Sequence, residues 1–519
     1  SVLDVELGEN YEKSNMKNSI TSQLSTLSVE NIHGLCYRKE ENILYDGRYC
    51  IIKDLDSIPS PYTDEMLSSL ENNKIVYYEA SRGCPFSCSY CISSTFEGVR
   101  YFSIDRVKDD LLKLINAGVK QVKFVDRTFN CNKKRAKEII RFVISNSMET
   151  NFHFEVAGDL FDDELIQLLS QAPEGLIQLE IGVQSVNPET HSEIKRKTDI
   201  NKLFGNVRKL LSNDNIHIHL DLIAGLPYED YSSFRESFNT VYRLKPHYLQ
   251  LGFLKMLKGS YIRSEDQIKK HQYKFREYPP YEVLYNKYIS FAEIAELKGI
   301  EEVLERYYNS GRFVNTLKFI VDNFFSSPFD FYRELYLYNL HHGHLDKPIS
   351  ARDHYTVFVD FVEYLTDKLG LKDDVKQSLV DVINDLLKLD FMSTNNTGKL
   401  PEKINRVSEP GFKDWCRDFL KDENHVKMYL PEFVGMSPGQ ILNKVKFETF
   451  SYNIVTLIKA KQNPYSGLIS DCSKSDADSN SGSTGITNLA LPEKKKVIIV
   501  FDYSNHHKVT GRYRYVILQ

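Results

Sequence analysis

The chain has 519 residues, of which 41% are hydrophobic and 26% charged, and this composition excludes wholesale disorder. Its formal net charge of -5 gives no general reason to expect a nucleic acid or an anionic membrane as partner. No apolar run approaches the roughly 20 residues of a membrane span. Eight cysteines are too few for a disulfide scaffold. Three of them lie within eight residues, which indicates a metal site in a reducing, cytoplasmic location.

Residues 1–72 are predicted to form a short N-terminal appendage. The polar stretch Asn10–Leu27 is typical of a short helix. Two short apolar runs, beginning at Gly34 and Asn42, predict a hairpin with a charged turn. The proline-rich stretch Ile58–Tyr62 is typical of a connector and indicates a boundary.

Strands and helices alternate through residues 73–255. Six runs read as strands: Ile75–Glu79, Gln121–Val125, Phe152–Ala157, Gly175–Gly182, His217–Ile223 and Tyr248–Leu254. Helical periodicity appears between them at Ile104–Ala117, Asn132–Ser145, Asp162–Leu169, Ile200–Leu211 and Ser232–Leu244. The alternation predicts an α/β fold with a parallel sheet, a partial (β/α)6 TIM-like barrel. Functional side chains are expected at the carboxyl ends of its strands.

Beyond residue 255 the alternation stops. Residues 256–469 are predicted to form a mostly helical C-terminal extension, with helices at Tyr281–Leu297, Glu301–Tyr308, Tyr355–Leu369 and Asp373–Leu387. Residues 470–487 have the low-complexity composition of a disordered linker. Residues 488–519 are predicted to form a terminal hairpin with strands at Lys496–Phe501 and Arg512–Leu518.

The cysteine triplet Cys84, Cys88 and Cys91 has Cys-x3-Cys-x2-Cys spacing and directly follows the first strand of the barrel. Three thiolates can bind three irons of a [4Fe-4S] cluster and leave the fourth iron open. Tyr90, before the last cysteine, can cover the cluster or an adjacent adenine ring. The alternative is a structural zinc site with a fourth ligand elsewhere, such as Cys131, in a non-catalytic barrel that acts as a binding module.

The triplet after the first strand, with an aromatic residue before its third cysteine, resembles the signature of radical S-adenosylmethionine (SAM) enzymes. The resemblance implies that SAM is bound at later strand ends. Asp126 stands at the position where relatives contact the methionine amino group, often through a Gly-Gly-Glu stretch. A carboxylate there suits an ammonium group. The alternative is that Asp126 caps the N-terminus of a helix. Glu155, on the third strand, is either paired inside the barrel or faces a ligand.

The fourth and fifth strands resemble those of the oxygen-independent coproporphyrinogen oxidases. Gly182-Val-Gln184 and the downstream Arg196 match a Gly-Val-Gln and arginine in that family. The resemblance implies that Gln184 lies at the ribose and methionine region and that Arg196 binds the carboxylate; the alternative for Arg196 is a solvated helix charge. In Asp221-Leu-Ile223-Ala-Gly225-Leu-Pro, Asp221 would accept the ribose hydroxyls. Ile223 and Gly225 would form the wall against adenine.

The resemblance implies a radical SAM enzyme, in which a reduced cluster cleaves SAM to a 5′-deoxyadenosyl radical that abstracts hydrogen from a substrate. The substrate is a small molecule or unknown, and an electron donor such as flavodoxin or ferredoxin is expected as partner. Catalytic residues are not identified by the motifs.

Gly34-Leu-Cys-Tyr-Arg resembles a stretch of radical SAM proteins that carry an N-terminal cobalamin-binding domain. Phe-Asp-Tyr-Ser-Asn at 501–505 is similar to an uncharacterised branch of that group. The usual Asp-x-His-x-x-Gly loop is missing, and residues 1–35 are too short for such a domain and would be at most its last fragment. The resemblance therefore leaves cobalamin-dependent methyl transfer open for a full-length protein. It argues against a complete cobalamin domain in these 519 residues.

Overall fold

The computed structural model describes residues 34–47, 51–69, 74–95, 98–147, 149–397, 399–404, 406, 409–459 and 491–518. These residues belong to two compact units, Ser1–Pro59 and Ser60–Gln519. In the first unit, β1 (Cys36–Lys39) pairs antiparallel with β2 (Asn42–Tyr45), which confirms the predicted hairpin. The helix predicted at Asn10–Leu27 lies outside the described residues.

A parallel six-stranded sheet is the centre of the second unit, and all six predicted strands are present. Its strands are β3 (Ile75–Tyr78), β6 (Gln121–Phe124), β7 (Asn151–Val156), β8 (Ile177–Gln184), β9 (His217–Ala224) and β10 (Tyr248–Phe253). Their order in the sheet is β10-β9-β8-β7-β6-β3, so each strand lies beside its neighbour in the alternation. The α/β partial barrel is therefore confirmed, and the carboxyl ends of its strands share one edge.

The barrel helices begin at polar caps, which explains why their boundaries could be predicted closely. The helices of this region are α1 (Asp64–Ser68), α2 (Ile104–Asn116), α3 (Lys133–Asn146), α4 (Asp163–Ser170), α5 (Pro188–Glu193), α6 (Ile200–Leu211) and α7 (Tyr231–Tyr242). The side chains of Ser103, Asn132 and Asp162 accept hydrogen bonds from backbone amides in the first turns of α2, α3 and α4.

The two faces of the sheet differ sharply in polarity. On the outer face, which the helices cover, Phe124, Phe154 and Leu220 are fully buried. The inner face, defined here as the opposite face, carries polar side chains on neighbouring strands. The register sets Glu155 beside Glu180 and Glu180 beside His219. The core of the barrel therefore lies between sheet and helices, and the inner face is left for polar chemistry.

The C-terminal region is mostly helical, as predicted. Its helices are α8 (Glu265–His271), α9 (Phe291–Leu304), α10 (Val314–Phe324), α11 (Pro328–His341), α12 (Asp353–Lys368), α13 (Asp373–Thr394), α14 (Phe412–Lys421), α15 (Glu423–Tyr429), α16 (Pro438–Leu442) and α17 (Val455–Lys459). A π-helical turn, Glu305–Asn309, continues α9 over the predicted 301–308 segment.

One helix prediction in this region is wrong. The segment Tyr281–Leu297 was predicted as one helix, but its first part forms β12 (Val283–Tyr285), which pairs with β11 (Lys274–Phe275). The helix begins only at Phe291, because Ser290 and Glu293 form a capping box there. Among the described residues, none of the helices has the length and apolarity that crossing a membrane requires.

The predicted terminal hairpin is confirmed as β14 (Val497–His506) and β15 (Tyr513–Leu518), but it is not isolated. A strand missed by prediction, β13 (Val445–Phe450), pairs with β14 and makes a three-stranded sheet. Asp390 on α13 accepts hydrogen bonds from the backbone amide of Thr316 and from Arg512 in the hairpin turn. The chain end is thus attached to the helical region. The predicted linker at 470–487 lies outside the described residues.

Candidate functional site

The cysteine loop leaves the carboxyl end of β3 through a short antiparallel pair. β4 (Ser81–Gly83) pairs with β5 (Val99–Tyr101), so the loop returns on itself. Gly83 has a φ of +103°, and a Cβ placed on it would lie under 3.0 Å from the carbonyl oxygen of Gly98. Only glycine combines this conformation with such a close backbone approach. Gly83 therefore forms a tight turn immediately before Cys84.

The loop itself is fixed by backbone hydrogen bonds to two later segments. The amide of Ser89 donates to the carbonyl of Ile194 at 2.9 Å, and Ser89 accepts from the amide of Ile262 at 2.8 Å. Cys91 donates its amide to the carbonyl of Cys88 at 3.1 Å. Cys84 Sγ lies 3.5 Å from the hydroxyl of Thr128, which follows β6. The three thiols are thus held at the strand ends where a site was expected.

The three thiols of the triplet lie close enough to influence one another. No cysteine in the described ranges is in a disulfide. Burial raises the pKa of the Cys88 thiol; Arg196 opposes this shift, while Cys91 and Cys84 add to it. The three cysteines are therefore neighbours that are available as metal ligands.

Asp126 lies directly beneath this loop. One carboxylate oxygen accepts from the amide of Ala80 at 2.8 Å, and the other accepts from the hydroxyl of Ser81. It caps no helix, since the following helical turn, 129–131, has no side-chain cap. Burial raises the pKa of Asp126 to about 6. Its observed contacts fix the start of the cysteine loop; contact with a methionine ammonium remains a prediction.

Gln184 adopts a conformation that is rare for a side-chain-bearing residue. It has a φ of +72° and follows a β-bulge where β8 meets β9. Its amide group lies over Gly182, where a Cβ would fall under 3.0 Å from Gln184 Nε2. Gln184 is 9% exposed, yet its Oε1 accepts no hydrogen bond from any described residue. A buried acceptor held by a strained backbone is a common feature of ligand sites.

Arg196 joins several predicted residues into one cluster. Its guanidinium donates to the carbonyl of Gly182 at 2.5 Å and to the hydroxyl of Tyr90 at 3.3 Å. Arg196 also interacts with Cys88. Burial lowers the pKa of Arg196, but the side chains of Tyr90 and Cys88 outweigh this effect and raise that pKa. Arg196 is therefore not a solvated helix charge. Tyr90 is turned toward the arginine and packs with an apolar group that includes Ile262.

The acidic residues predicted on later strands lie on the inner face. Asp221 is beside Gly182 in the register, and burial raises its pKa. Burial and the neighbouring Glu180 raise the pKa of Glu155 to about 7. Glu155 thus lies beside another acid in the register of the sheet, and Asp221 lies one residue pair from the Gln184 bulge.

The segment after β9 forms an apolar wall. Ile223 packs against a cluster that includes Leu254 and Val283. Gly225 has a φ of +88°, and its carbonyl accepts from Asn286 at 3.0 Å and from Tyr273 at 3.3 Å. The wall is therefore supported by residues of the C-terminal region.

Several functional candidates were missed by sequence reasoning. Glu229 is 1% exposed and accepts from the hydroxyls of Ser185 at 2.5 Å and Ser237 at 2.9 Å. Burial raises its pKa to about 7. His153 and His219 lie on the inner face within 3 Å of acidic partners. The alternation His-x-His-x-Asp on β9 was a visible signal, because residues two apart share one face of a strand.

Two protein-family models match different parts of the chain. Residues 78–241 match the family model described as the radical SAM superfamily. Residues 269–469 match a family described as a protein of unknown function, DUF4080. Among solved structures, the cobalamin-dependent SAM radical enzyme OxsB aligns over 71% of this chain and 61% of its own, at 13% identity and a TM-score of 0.44.

Curated relatives resemble only part of the chain. An uncharacterized methyltransferase of Pyrococcus horikoshii is 26% identical over 166 residues, which are 31% of this chain and 36% of the relative. The cobalamin-dependent radical SAM methyltransferase TokK of Streptomyces tokunonensis is 26% identical over 242 residues, 43% of this chain and 34% of its own. The chain thus spans about a third of the length of these relatives. With its three cysteines at the end of β3 inside the family match, the segment 78–241 is a radical SAM domain.

Proposed function

We propose that the protein is an enzyme that binds a [4Fe-4S] cluster through Cys84, Cys88 and Cys91 and uses SAM to start radical chemistry on a substrate not yet identified. The observation that carries this proposal is the shared contact of Arg196 with Cys88 and with Tyr90, directly beside the buried, unpartnered Oε1 of Gln184. Metal ligands and unsatisfied polar groups thus converge at one edge of the sheet. The match to the radical SAM model supports the same assignment.

Each side chain of the site has a role that its contacts support. When bound, the cluster and SAM supply reductive cleavage that yields a 5′-deoxyadenosyl radical for hydrogen abstraction. The planar guanidinium of Arg196 suits a carboxylate. Gln184 Oε1 and the carboxylate of Asp221 are buried acceptors that suit ribose hydroxyls. Asp126 positions the cysteine loop through Ala80 and Ser81. Ile223 and the backbone at 225 would exclude water from the adenine side.

The proposal also includes a one-electron donor, such as flavodoxin or ferredoxin, because the cluster must be reduced before each SAM cleavage. Methyl transfer is a second candidate for the overall reaction, since TokK and the Pyrococcus horikoshii relative are named as methyltransferases. It would be tested by adding methylcobalamin to the reconstituted protein and searching for a methylated product in candidate substrate mixtures.

The first test uses protein purified and reconstituted without oxygen. Iron, sulfide and zinc are measured first, and 5′-deoxyadenosine is measured after SAM and dithionite are added. We expect about four irons per chain and deoxyadenosine formation. Cys88→Ala should lose both. Cys131→Ala is the matched control, because this thiol lies outside the triplet, near the hydroxyl of Tyr101.

Tightly bound zinc without a cluster, and no SAM cleavage, would overturn the proposal and favour a zinc-containing binding module. Equal loss of iron in both cysteine variants would also contradict it, because the triplet would then have no special role.

A further inference from the structure

We propose that the inner face of β7, β8 and β9 contains a divalent-cation site, separate from the cysteine loop and suited to zinc. Its four ligands, called the inner-face cluster below, are His153, Glu180, His219 and Asp221. One ligand atom from each of Glu180, His219 and Asp221 lies within 4.8 Å of the other two. His153 joins them, since its Nε2 is 2.9 Å from Glu180 Oε2.

The two histidines of the inner-face cluster pair with its acids at contact distance. Nε2 of His219 is 2.8 Å from Asp221 Oδ1, and Nε2 of His153 is 2.9 Å from Glu180 Oε2. His153 and His219 are only 5% and 8% exposed, respectively. Buried imidazole nitrogens and carboxylate oxygens thus face one another, which is the arrangement that a cation can bridge.

The ligand atoms of the inner-face cluster are already close to the spacing of neighbouring ligands around a metal ion. Zinc binds imidazole nitrogen at about 2.0–2.1 Å and carboxylate oxygen at about 2.0–2.2 Å, which sets adjacent ligand atoms of a tetrahedral site about 3.4 Å apart. The observed nitrogen–oxygen pairs, at 2.8 and 2.9 Å, are slightly closer than this, so a bound ion would move each pair apart by about half an ångström. Two imidazoles and two carboxylates are a donor set that zinc accepts, and zinc binds such sites more tightly than manganese or iron(II).

The charges around the cluster also favour a cation. Three carboxylates meet on this part of the inner face, since Glu155 lies beside Glu180 in the register and Asp221 lies on the next strand. Lys123 offsets one of them, with its amine 3.3 Å from Glu180 Oε2. Arg127 acts on Glu155 from the strand end. With both histidines neutral, the three carboxylates and the two basic side chains have a net charge of about -1. Neutral imidazole is also the form that binds a metal.

The fold holds these ligands in place. The ring of Tyr248 packs edge-on against His219, with 4.5 Å between ring centroids, and so fixes the imidazole plane. Orientation of a ligand histidine by its neighbours is a usual feature of metal sites. Asp221 has two carboxylate oxygens, so Oδ1 can face the ion while Oδ2 stays available for a ribose hydroxyl. The inference therefore does not depend on the proposed function.

The test measures zinc on cluster-loaded protein, so that the cysteine loop is already occupied. The protein is incubated with zinc, passed over a desalting column and analysed by elemental mass spectrometry. We expect about one zinc per chain in addition to the cluster iron. Glu180→Gln and His219→Ala should weaken zinc binding by at least about 10–100-fold, because even loss of an outer-shell partner costs that much.

His217→Ala is the matched control for His219→Ala. His217 lies two residues earlier on the same strand and the same face, but its ring stacks on His247, with 5.3 Å between centroids. This variant should keep its zinc. Glu180→Gln is isosteric, so it tests the site even if the histidine variant fails to fold, and thermal unfolding of each variant checks folding directly.

A variant with all three loop cysteines changed to serine separates the two sites. It should lose the iron and SAM cleavage but keep the zinc, and its cobalt(II) form should show d–d bands without thiolate charge transfer. The inference is overturned if wild-type protein retains no zinc, if Glu180→Gln binds zinc as tightly as wild type, or if the serine variant loses the zinc.

Discussion

Gly83 provides the sharpest test of how the cysteine loop is built. Gly83 pairs with Val99 in the β4–β5 register, and Gly98 immediately precedes β5. Both glycines have positive φ angles, +103° and +79°. A Cβ on Gly83 would press on the backbone of Gly98 and lie within 3.4 Å of Val99 Cα. A Cβ on Gly98 would meet nothing within 4 Å. Gly83→Ala and Gly98→Ala therefore share the conformational cost but differ in the clash.

The expected magnitudes follow from this difference. A left-handed conformation costs an alanine about 1–2 kcal/mol, and Gly98→Ala should lose only that amount of stability. Gly83→Ala must also push the β5 backbone away and weaken the β4–β5 hydrogen bonds, each of which contributes about 1 kcal/mol. We expect Gly83→Ala to be the more destabilising by about 1–2 kcal/mol. We also expect it to lose most of its cluster, because the turn immediately precedes Cys84.

The assay is iron and sulfide content after anaerobic reconstitution, together with urea unfolding of the apoprotein. Gly98→Ala should retain iron close to the wild-type amount. The reasoning is refuted if Gly83→Ala binds as much iron as Gly98→Ala, because the close approach of the two backbones would then have no role in shaping the cluster loop.

Gly182→Ala should weaken SAM binding, measured by equilibrium dialysis, by about tenfold, equal to about 1.4 kcal/mol, because the new methyl group displaces the amide of Gln184. It should not lose iron. Gly205→Ala, whose new methyl group meets nothing within 4 Å, should leave SAM binding unchanged in the same assay. The folded pKa of Glu229, about 7, lies above its ordinary value of 4.5, so its contribution to stability is present below pH 4.5 and lost as the pH rises to 7. Glu229→Gln should therefore flatten the fall in unfolding free energy across that range by on the order of 3 kcal/mol, measured by urea unfolding at several pH values. Asp390→Ala should cost about 3–5 kcal/mol in the same assay, because it leaves several buried donors and a guanidinium without their acceptor.

The sheet could be predicted from sequence because its signals are local. Each of the six strands is a short apolar run, and each following helix has an apolar stripe and a polar cap within a few residues of its start. The strand β13 could not be predicted in this way. It pairs with β14, which follows about fifty residues later, and nothing local in the intervening sequence indicates that pairing. Non-local pairing also explains why the terminal hairpin was predicted as a separate unit.

The candidate site was predictable by position but not by contact. The positions of Cys84 after β3, of Gln184 at the end of β8 and of Asp221 within β9 follow from strand boundaries alone. Arg196 lies beyond α5. The partners of these side chains do not follow from such boundaries. The contact of Arg196 with Tyr90 joins residues 106 positions apart. Asp126 was expected to face a ligand or cap a helix, whereas its buried carboxylate binds the backbone that leads into the cysteine loop.

Gln184 shows most clearly why periodicity fails at a functional site. A regular strand would place residues 180, 182 and 184 on one face, and this alternation is all that the sequence predicts for Gln184. In the structure, the bulge shifts Gln184 so that it pairs with Leu222, an outer-face residue, instead of with the inner-face position after Asp221. The positive φ of Gln184 then returns its side chain over Gly182, which has no Cβ in the way.

This strained arrangement has consequences for both proposed sites, because β8 and β9 contribute to each. Four residues along a strand span about 13 Å, so Glu180 and His219 lie roughly that far along their strands from Gln184 and Ile223. An ion on the inner-face cluster would therefore lie deeper along the same strands than the acceptors assigned to SAM, with Asp221 between them. Asp221 is the one residue common to the two proposals. A change there should affect both zinc content and SAM binding, whereas Gly182→Ala should affect SAM binding alone and Glu180→Gln zinc alone.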